Sequence, residues 1–579
     1  MAALDTGDLP ASRLANLAAP AILEAFVSYQ ESFTVVTRRA LSRFERHDWK
    51  GAVADSIERL DLYGRVVDRL EREVRRMLGA RIAEPMVWAA MKAVYSASIA
   101  GRPDLELAET FFNSVTRRVF TTVGVNRDIE FVDSDFEAPP ADDVASLCKS
   151  FKGAGDSGAL VEAIVRGAGF STGFEDLGRD CRLAGERLDA SLRGLRLGVV
   201  DHAEVVTAPF FRRKGAYLVG RLFAGGKPVP FVLALLNQEQ GIIVDAVLTD
   251  ENDISILFSF TRSHFHVDAG PPHELASYLR LLMPKKPVAE LYIALGHHKH
   301  GKTLLYRDLL RYIAGTEELF IPAPGTPGMV MAVFTMPGYD VVLKVIRDRF
   351  PAIKPVTPDA IRQNYRLVFR HDRAGRLVEA QEFEHLEFDL ARFAPELLRE
   401  FERDAAHTVA IGDGDLVVHH AYIERRVIPL DVYLREASEP EARAAIIDFG
   451  QAIKDLAANG IFPGELLPKN FGVTRHSRIV CYDYDELGLL TDFTFRTAPQ
   501  ATHDDDDYSD GAWFGVGPRD LFPEEFARFL GLRTEHRQVL DECHPELYDV
   551  GFWTDTQERV KSGEVIDIFP YQPELRLTR

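Results

Sequence analysis

Three oxygen-bearing side chains near the C-terminus are spaced as phosphate-transfer chemistry requires. Glu465 stands five residues before Asn470, and Asp483 stands thirteen residues after it, at the end of the apolar run 479–482. If Asn470 and Asp483 lie at two adjacent strand ends, their amide and carboxylate oxygens suit a hard, oxygen-seeking cation bound to phosphates. The spacing therefore predicts a site that holds a divalent ion and a phosphorylated ligand.

The same spacing is typical of the catalytic loop and metal site of protein kinases. In the kinase motif H-R-D-L-x-x-x-N the catalytic base precedes a metal-binding Asn by five residues, and the Mg²⁺-binding Asp of D-F-G follows later. Here Glu465 takes the base position, Asn470 the amide position, and Asp483-Tyr484-Asp485 the D-F-G position. The C-terminal part of the chain thus resembles a protein kinase.

A loop and a strand upstream supply the other parts of a kinase nucleotide site. The loop is Ala323-Pro324-Gly325-Thr326-Pro327-Gly328-Met329. Its two glycines let backbone N–H groups approach phosphate oxygens. The run 341–346 carries one charge, Lys344, among strand-forming residues, as in the kinase V-A-I-K strand. We expect Lys344 to pair with nucleotide phosphates.

The lysine of a kinase also needs a glutamate partner, normally from helix αC. A helix is predicted from Thr357 to about Arg370, with a proline at its first turn. That helix contains no glutamate. Glu379, Glu382 and Glu384, in a predicted strand, are the substitutes that the sequence offers.

Several longer segments extend the resemblance to one family. The densest are 109–115, 327–331, 343–346, 422–426, 461–464 and 469–476. Through them nearly the whole chain resembles the bacterial isocitrate dehydrogenase kinase/phosphatase family. The resemblance implies an enzyme that phosphorylates a serine of isocitrate dehydrogenase with ATP and also removes that phosphate. It would thereby control flux between the citric acid cycle and the glyoxylate bypass.

The resemblance also implies roles for individual residues. It assigns the ATP loop to Ala323–Met329, the ATP lysine to Lys344, metal ligation (Mg²⁺ or Mn²⁺) to Asn470 and Asp483, and catalytic-site positions to Lys469 and Asp485. Glu465 and Glu379 stand where the family is expected to have aspartates, the second linked to phosphatase activity. One added methylene can displace a carboxylate by roughly 1 Å, which can cost on the order of 10²-fold in rate. The balance of kinase to phosphatase activity therefore stays open.

A competing motif lies upstream. Gly296-His297-His298-Lys299-His300-Gly301-Lys302-Thr303 fits the Walker A pattern G-x-x-x-x-G-K-[ST]. The run 291–295 is predicted as a strand and 303–313 as a helix, which is the context of a P-loop NTPase. The loop interior has no extra glycine, and a basic loop that faces a nucleotide or a partner is the alternative. A further alternative is a pseudokinase scaffold that binds the dehydrogenase without chemistry, because Glu465 and Glu379 depart from aspartate.

Composition limits the class of protein. With 579 residues, the chain predicts at least two domains. A net charge of −20 argues against nucleic-acid binding as the main function. Four cysteines without metal-binding spacing indicate a reducing compartment, and no apolar run approaches 18 residues, so no membrane span is predicted. The acidic N-terminus lacks a secretory signal pattern, which predicts a cytoplasmic protein.

The pattern of apolar residues predicts an α+β fold in two parts. Residues 1–315 form a mainly helical domain with a mixed α/β portion that is rich in strands at about 199–266. Residues 316–579 form a bilobal protein-kinase-like domain. The family resemblance makes the first a regulatory domain that binds AMP, and suggests a homodimer.

Overall fold

A computed structural model describes residues 9–132, 147–153, 155–259, 264–352, 354, 356–371, 373–498, 516–517 and 519–578. The chain divides into two compact units. The first contains Met1–Thr316, His385–Glu387 and Phe569–Arg579, and the second contains Glu317–Glu384 and Phe388–Ile568. In the described ranges, no helix has the length and apolar character needed to cross a bilayer.

The first unit is mainly helical and carries one antiparallel sheet. Its helices are α1 (Ala11–Glu45), α2 (Trp49–Leu78), α3 (Pro85–Ile99), α4 (Leu105–Val119), α5 (Ser157–Gly167), α6 (Leu177–Gly194), α7 (Glu251–Leu257), α8 (Pro272–Leu282), α9 (Val288–Ala294) and α10 (His298–Gly315). Its strands are β1 (Cys148–Lys152), β2 (Val200–Val206), β3 (Phe210–Arg212), β4 (Gly215–Ala224), β5 (Lys227–Gln238) and β6 (Gly241–Leu248). The sheet order is β1-β2-β4-β5-β6, with β3 paired to β4.

The sheet of this unit is buried on both faces, which explains its nearly continuous apolar strands. All eight residues of β6 are buried. Along β4, Tyr217 and Val219 join one hydrophobic core, whereas Ala216 and Leu218 join a second core. This alternation follows from the period of two along a strand.

The second unit has a sheet lobe and a helical lobe. Its strands are β7 (Ile321–Pro322), β8 (Met331–Thr335), β9 (Val341–Ile346), β10 (Ala380–Asp389), β11 (Val409–Ile411), β12 (Asp415–Arg425), β13 (Ile428–Pro429), β14 (Ile461–Phe462), β15 (Phe471–Val473), β16 (Ile479–Cys481), β17 (Gly488–Leu489), β18 (Thr494–Phe495) and β19 (Asp520–Leu521). Its helices are α11 (Pro358–His371), α12 (Pro395–Asp404), α13 (Leu430–Glu436), α14 (Glu439–Ala458), α15 (Phe526–Phe529), α16 (Thr534–Cys543) and α17 (Val550–Lys561).

The main sheet of this unit has the order β10-β12-β9-β8-β7, with β11 paired to β12. A second, three-stranded sheet has the order β13-β15-β16. Helix α14 begins with a capping box in which Ser438 and Glu441 satisfy each other's backbone N–H groups. This helix packs against β15 through Phe449, whose ring lies edge-on to that of Phe471, with the ring centres 4.9 Å apart. The strand that follows the predicted catalytic loop therefore packs on the buried face of α14.

The predicted fold class is confirmed: a mainly helical unit with a sheet precedes a bilobal, sheet-containing unit. One predicted element is wrong. Residues 291–295, predicted as a strand, lie in α9 and at its C-terminal end. Their apolar run is short, and such a run fits a buried helix as well as a buried strand.

Candidate active site

Pairing of two short strands brings the predicted amide and carboxylate ligands to one place. Asn470 directly precedes β15, and Asp483 lies two residues after β16. The strands are antiparallel with Phe471 opposite Cys481, so the start of one meets the end of the other. The backbone N–H groups of Tyr482 and Asp483 both donate to the Asn470 carbonyl, at 3.1 and 3.4 Å.

The turn before the catalytic loop holds Glu465 beside Asn470. Gly464 has a φ of +84°, and a Cβ at this position would lie 2.5 Å from the Glu486 carbonyl oxygen. The Asn470 side-chain amide donates to the carbonyl and to Oε2 of Glu465, both at 3.4 Å. Oε1 of Glu465 accepts from Lys354 at 3.2 Å. The base position is thus fixed by contacts on both carboxylate oxygens.

Lys344 is buried in an ion pair. Its Nζ lies 2.8 Å from Oε2 of Glu424 on β12, the strand paired with β9. The Tyr365 hydroxyl of α11 donates to the other oxygen of Glu424 at 3.0 Å. Burial raises the pKa of Glu424, and Lys344 and Tyr365 oppose part of that rise.

The glutamate partner was therefore predicted wrongly. The structure pairs the lysine with Glu424. Of the predicted substitutes, Glu382 pairs with His420 at 2.8 Å, and Glu379 accepts a hydrogen bond from Gln381 at 2.6 Å. A neighbouring strand supplies the carboxylate because Tyr422 of β12 lies opposite Lys344 in register, so Glu424 is only two residues away. Glu424 is the one charged residue of the buried stretch 421–424, and this was the signal that sequence reasoning missed.

The lysine also contacts the segment of the proposed metal ligand. Lys344 Nζ donates to the Tyr482 carbonyl at 2.7 Å and lies 5.2 Å from the centre of the Tyr482 ring. The Asp485 backbone N–H donates to Oδ1 of Asp483 at 3.3 Å. Burial, followed by the charge of Asp483, raises the pKa of Asp485 to about 7. Lys344, Asp483 and Asp485 therefore share one electrostatic environment.

Asn470 and Asp483 fit a divalent metal that is shared with phosphate. Among the described residues, no group of three or more His, Cys, Asp or Glu side chains is arranged to hold a metal by itself. Mg²⁺ commonly uses only one or two carboxylates and completes its shell with waters and substrate phosphates. The Asn470 amide is buried, and the crowded carboxylates of Asp483 and Asp485 carry excess negative charge that a cation would offset.

A buried segment before β10 places Glu379 near the same strand end. Leu377 forms a β-bridge with Cys481, and the Val378 backbone N–H donates to the Cys481 carbonyl at 3.0 Å. The Tyr484 hydroxyl donates to the Val378 carbonyl at 2.8 Å. Arg376 anchors the segment with two hydrogen bonds of 2.8 Å to Asp448 of α14. Glu379, half-buried, directly follows this anchored stretch.

The glycine-rich loop connects β7 to β8, as in a strand–loop–strand phosphate cover. The Ala323 N–H donates to the Val333 carbonyl at 2.8 Å, and residues 324–329 are exposed. Gly325 has a φ of +117°, which favours glycine. Arg347 fixes the far end of the loop through the Gly328 carbonyl at 3.1 Å.

The remaining predicted residue, Lys469, is half-buried within the catalytic loop. Its carbonyl accepts a hydrogen bond from the Tyr482 hydroxyl. That contact ties the loop backbone to the segment that carries Asp483.

The Walker A pattern does not form a phosphate loop. Gly301 lies inside α10, where an added Cβ would be 2.6 Å from the Ala289 carbonyl oxygen. His300 is buried and shares a hydrogen bond of 2.8 Å with Thr110. Burial lowers the pKa of His297 to about 3, so this side chain stays neutral. The second glycine of the pattern thus serves close helix packing.

Three features together define a protein-kinase-like domain. They are a lysine–glutamate pair inside a sheet, a glycine-rich loop between two strands, and an amide and a carboxylate at the adjoining ends of two further strands. Such a domain generally uses ATP and a divalent metal. The family model described as "Isocitrate dehydrogenase kinase/phosphatase (AceK) kinase domain" matches residues 318–573, and the model described as "Isocitrate dehydrogenase kinase/phosphatase (AceK), regulatory domain" matches residues 19–317. The chain belongs to the isocitrate dehydrogenase kinase/phosphatase family.

Curated relatives carry the same name. An isocitrate dehydrogenase kinase/phosphatase of Anaeromyxobacter sp. (strain Fw109-5) is 49% identical over 97% of this chain and 98% of its own. That of Anaeromyxobacter dehalogenans (strain 2CP-C) is 48% identical over the same shares, 97% and 98%. That of Xanthomonas euvesicatoria pv. vesicatoria (strain 85-10) is 40% identical over 98% of both chains.

Among solved structures, the "ROP18 kinase domain in complex with AMP-PNP and sucrose" aligns with 45% of this chain and 90% of its own, at 12% identity. The TM-score of 0.20 is too low to support an argument about the fold.

Proposed function

We propose that this chain phosphorylates a serine of isocitrate dehydrogenase with ATP and removes the same phosphate at the same site. Membership of the family supports the substrate and the two activities. One structural observation carries the proposal: the buried Lys344–Glu424 pair contacts the strand end that carries Asp483, and Asn470 lies at the adjoining strand start. Phosphate-binding and metal-binding groups can therefore act on one phosphoryl group.

In the kinase direction, catalysis rests on positioning and charge neutralisation. The loop Ala323–Met329 and Lys344 would hold the nucleotide phosphates. Asn470 and Asp483 would hold Mg²⁺ or Mn²⁺, which when bound offsets the charge on the transferring group. Glu465 would orient the serine hydroxyl and accept its proton.

In the phosphatase direction, Glu379 and Asp485 are the proposed carboxylates for orienting water. Glu379 follows the segment 377–378, which bridges to Cys481. Asp485 lies two residues after Asp483, and its backbone N–H donates to the Asp483 carboxylate. Substitution of both by Ala should abolish phosphatase turnover. Intact phosphatase turnover in that double variant would contradict this assignment. Lys469, in the catalytic loop, is proposed as a further catalytic-site group.

Other features of the proposal rest on the family alone. AMP would act as an allosteric effector on the regulatory domain, assigned to residues 1–315, and residues 316–579 would form the catalytic domain. The protein would be cytoplasmic and homodimeric. It would bind neither nucleic acid nor membrane, which the net charge of −20 supports for nucleic acid.

A direct test combines both reactions. Purified isocitrate dehydrogenase is incubated with the chain and γ-labelled ATP, and incorporated label is measured. ADP with excess unlabelled ATP is then added, and release of the label is followed. Incorporation and release are expected. Binding of the dehydrogenase without incorporation would instead support the pseudokinase scaffold.

The P-loop alternative has its own control. Lys302→Ala should leave nucleotide turnover unchanged, whereas Lys344→Met should abolish it. The reverse result would support nucleotide binding at Gly296–Thr303.

A further inference from the structure

We propose that Lys354 is a positioning residue for catalysis, which holds the Glu465 carboxylate and joins the catalytic loop to the segment after Asp485. The inference rests on the proposed function of Glu465 as the group that orients the serine hydroxyl. Lys354 belongs to neither the glycine-rich loop nor the metal site, and no kinase motif contains it. It lies in the connection between β9 and α11, far in sequence from both of its partners.

The contacts of Lys354 connect two separate parts of the site. Its ammonium donates to Oε1 of Glu465 at 3.2 Å and to Oε1 of Glu486 at 2.6 Å. Glu486 directly follows Asp485, and its carbonyl packs against Gly464. One cation therefore bridges Glu465, at the base position, and Glu486, which directly follows Asp485.

Burial of its cation distinguishes this bridge from an ordinary surface ion pair. The side chain of Lys354 is 8% exposed, whereas those of Glu465 and Glu486 are 34% and 35% exposed. Burial by itself would lower the pKa of Lys354, but the contacts with Glu486 and Glu465 outweigh it and raise that pKa. The ammonium stays charged, and salt screens a buried charge poorly.

The geometry explains why a cation is needed here. A glutamate has one more rotatable bond than the aspartate that protein kinases use as base. Asn470 contacts Oε2 of Glu465 at 3.4 Å, a length near the limit for a hydrogen bond. Lys354 restrains the other oxygen and so reduces the freedom that the extra bond adds.

The test compares substitutions at Lys354 with a matched ion pair elsewhere in the same unit. Lys354→Met removes the charge at similar length, and Lys354→Arg keeps a cation. Lys454→Met is the control, because Lys454 pairs with Glu546 at 2.6 Å and is assigned no part in the site. Thermal unfolding of each variant is measured first, and rates are compared at a temperature where all are folded.

We expect Lys354→Met to lower kcat for dehydrogenase phosphorylation by about 10- to 100-fold, because misplacement of about 1 Å has effects of this size. KM for ATP should change less than about threefold, since Lys354 contacts no proposed phosphate ligand. Lys354→Arg should recover most of kcat, and Lys454→Met should keep the parent rate.

A double-mutant cycle decides whether Lys354 acts through Glu465. In a Glu465→Gln background, adding Lys354→Met should cause no further loss of kcat beyond about twofold. An equal loss in both backgrounds, or an unchanged kcat for Lys354→Met alone, would overturn the inference. A parent rate in Glu465→Gln would overturn the role of Glu465 and this inference with it.

The same cycle in urea unfolding does not depend on activity. Coupling between Lys354→Met and Glu465→Gln in the unfolding midpoints is expected. Absence of phosphorylation by the parent chain, together with this coupling, would reject the proposed function but keep the contact. Absence of coupling would reject the inference whatever the activity.

Discussion

At the scale of single residues, the Lys344–Glu424 pair joins stability to the proposed chemistry. Both side chains are almost fully buried, at 6% and 1% exposure, and the pair has a second stabilising contact from Tyr365. Breaking a buried pair by removing one partner leaves an uncompensated charge, which costs about 3–5 kcal/mol. On the proposed function, the lysine serves both the fold of the sheet lobe and phosphate binding, and a useful experiment must separate the two.

Lys344→Met should lower the kinase rate by at least about 10²-fold, since it removes a preorganised cation from the transferring phosphoryl group. Glu424→Gln added to Lys344→Met removes the stranded carboxylate, so the double variant should regain much of the lost stability without regaining activity. Thermal unfolding and label incorporation into the dehydrogenase measure the two effects. Recovery of activity together with stability would mean that the lysine is only structural.

Asp483→Asn should weaken binding of the divalent ion, because an amide oxygen replaces a charged ligand. The Mg²⁺ concentration for half-maximal phosphorylation should rise at least about 10-fold, and Mn²⁺ affinity, measured by titration, should fall in parallel. Asp492→Asn is the control, since Asp492 is an exposed carboxylate paired with Arg519. Equal metal dependence of both variants would count against Asp483 as a ligand.

At the scale of elements, short strands and one tight turn set the site. Strands β15 and β16 have three residues each, yet their register alone places Asn470 beside the Tyr482–Asp483 backbone. The turn at Gly464 sets the direction in which the chain enters the catalytic loop. Its positive φ and its contact with the Glu486 carbonyl leave no room for a side chain.

Gly464→Ala should displace Glu465 and lower the kinase rate by about 10²-fold. Strain at the turn should also reduce the free energy of unfolding by about 1–3 kcal/mol. Gly414→Ala is the matched control, because no atom lies within 4 Å of its added Cβ and its φ is not positive. Label incorporation and urea unfolding are the measurements, and a full rate in Gly464→Ala would show that the turn does not position the base.

At the scale of the whole molecule, buried ionisable groups link the stability of the first unit to pH. In the first unit, burial raises the pKa of Glu106 to about 7, with Tyr292 and His273 lowering it in part. Burial also lowers the pKa of His297 and of His300. These groups make the stability of this unit depend on pH in opposite directions, with the histidines losing stability as the pH falls below about 6.5.

Glu106→Gln isolates the carboxyl contribution. A carboxyl whose folded pKa is raised stabilises the folded state fully below its unfolded pKa of about 4.5 and loses that contribution as the pH rises through about 7. The difference in unfolding free energy between variant and parent should therefore grow between these values, by on the order of 3 kcal/mol, and stay constant above them. Glu186→Gln, at an exposed position on α6, is the control. A parallel curve for Glu106→Gln would contradict the raised pKa.

The sequence by itself determined the two-part fold, the lysine strand β9, the helix α11 and the family. These features depend on local patterns: apolar periodicity, prolines at first helical turns, and motif spacing along one chain. The spacing of Glu465, Asn470 and Asp483 was informative because only two short strands and the turn between them connect Asn470 to Asp483, which leaves few possible arrangements of these residues.

Only the tertiary structure decided which side chains meet. Glu424 became the partner of Lys344 through strand register, Lys354 reached Glu465 and Glu486 from more than a hundred residues away, and the Walker A pattern proved to be helix packing. Sequence patterns report backbone periods and local turns, whereas contacts between distant segments depend on how the elements pack.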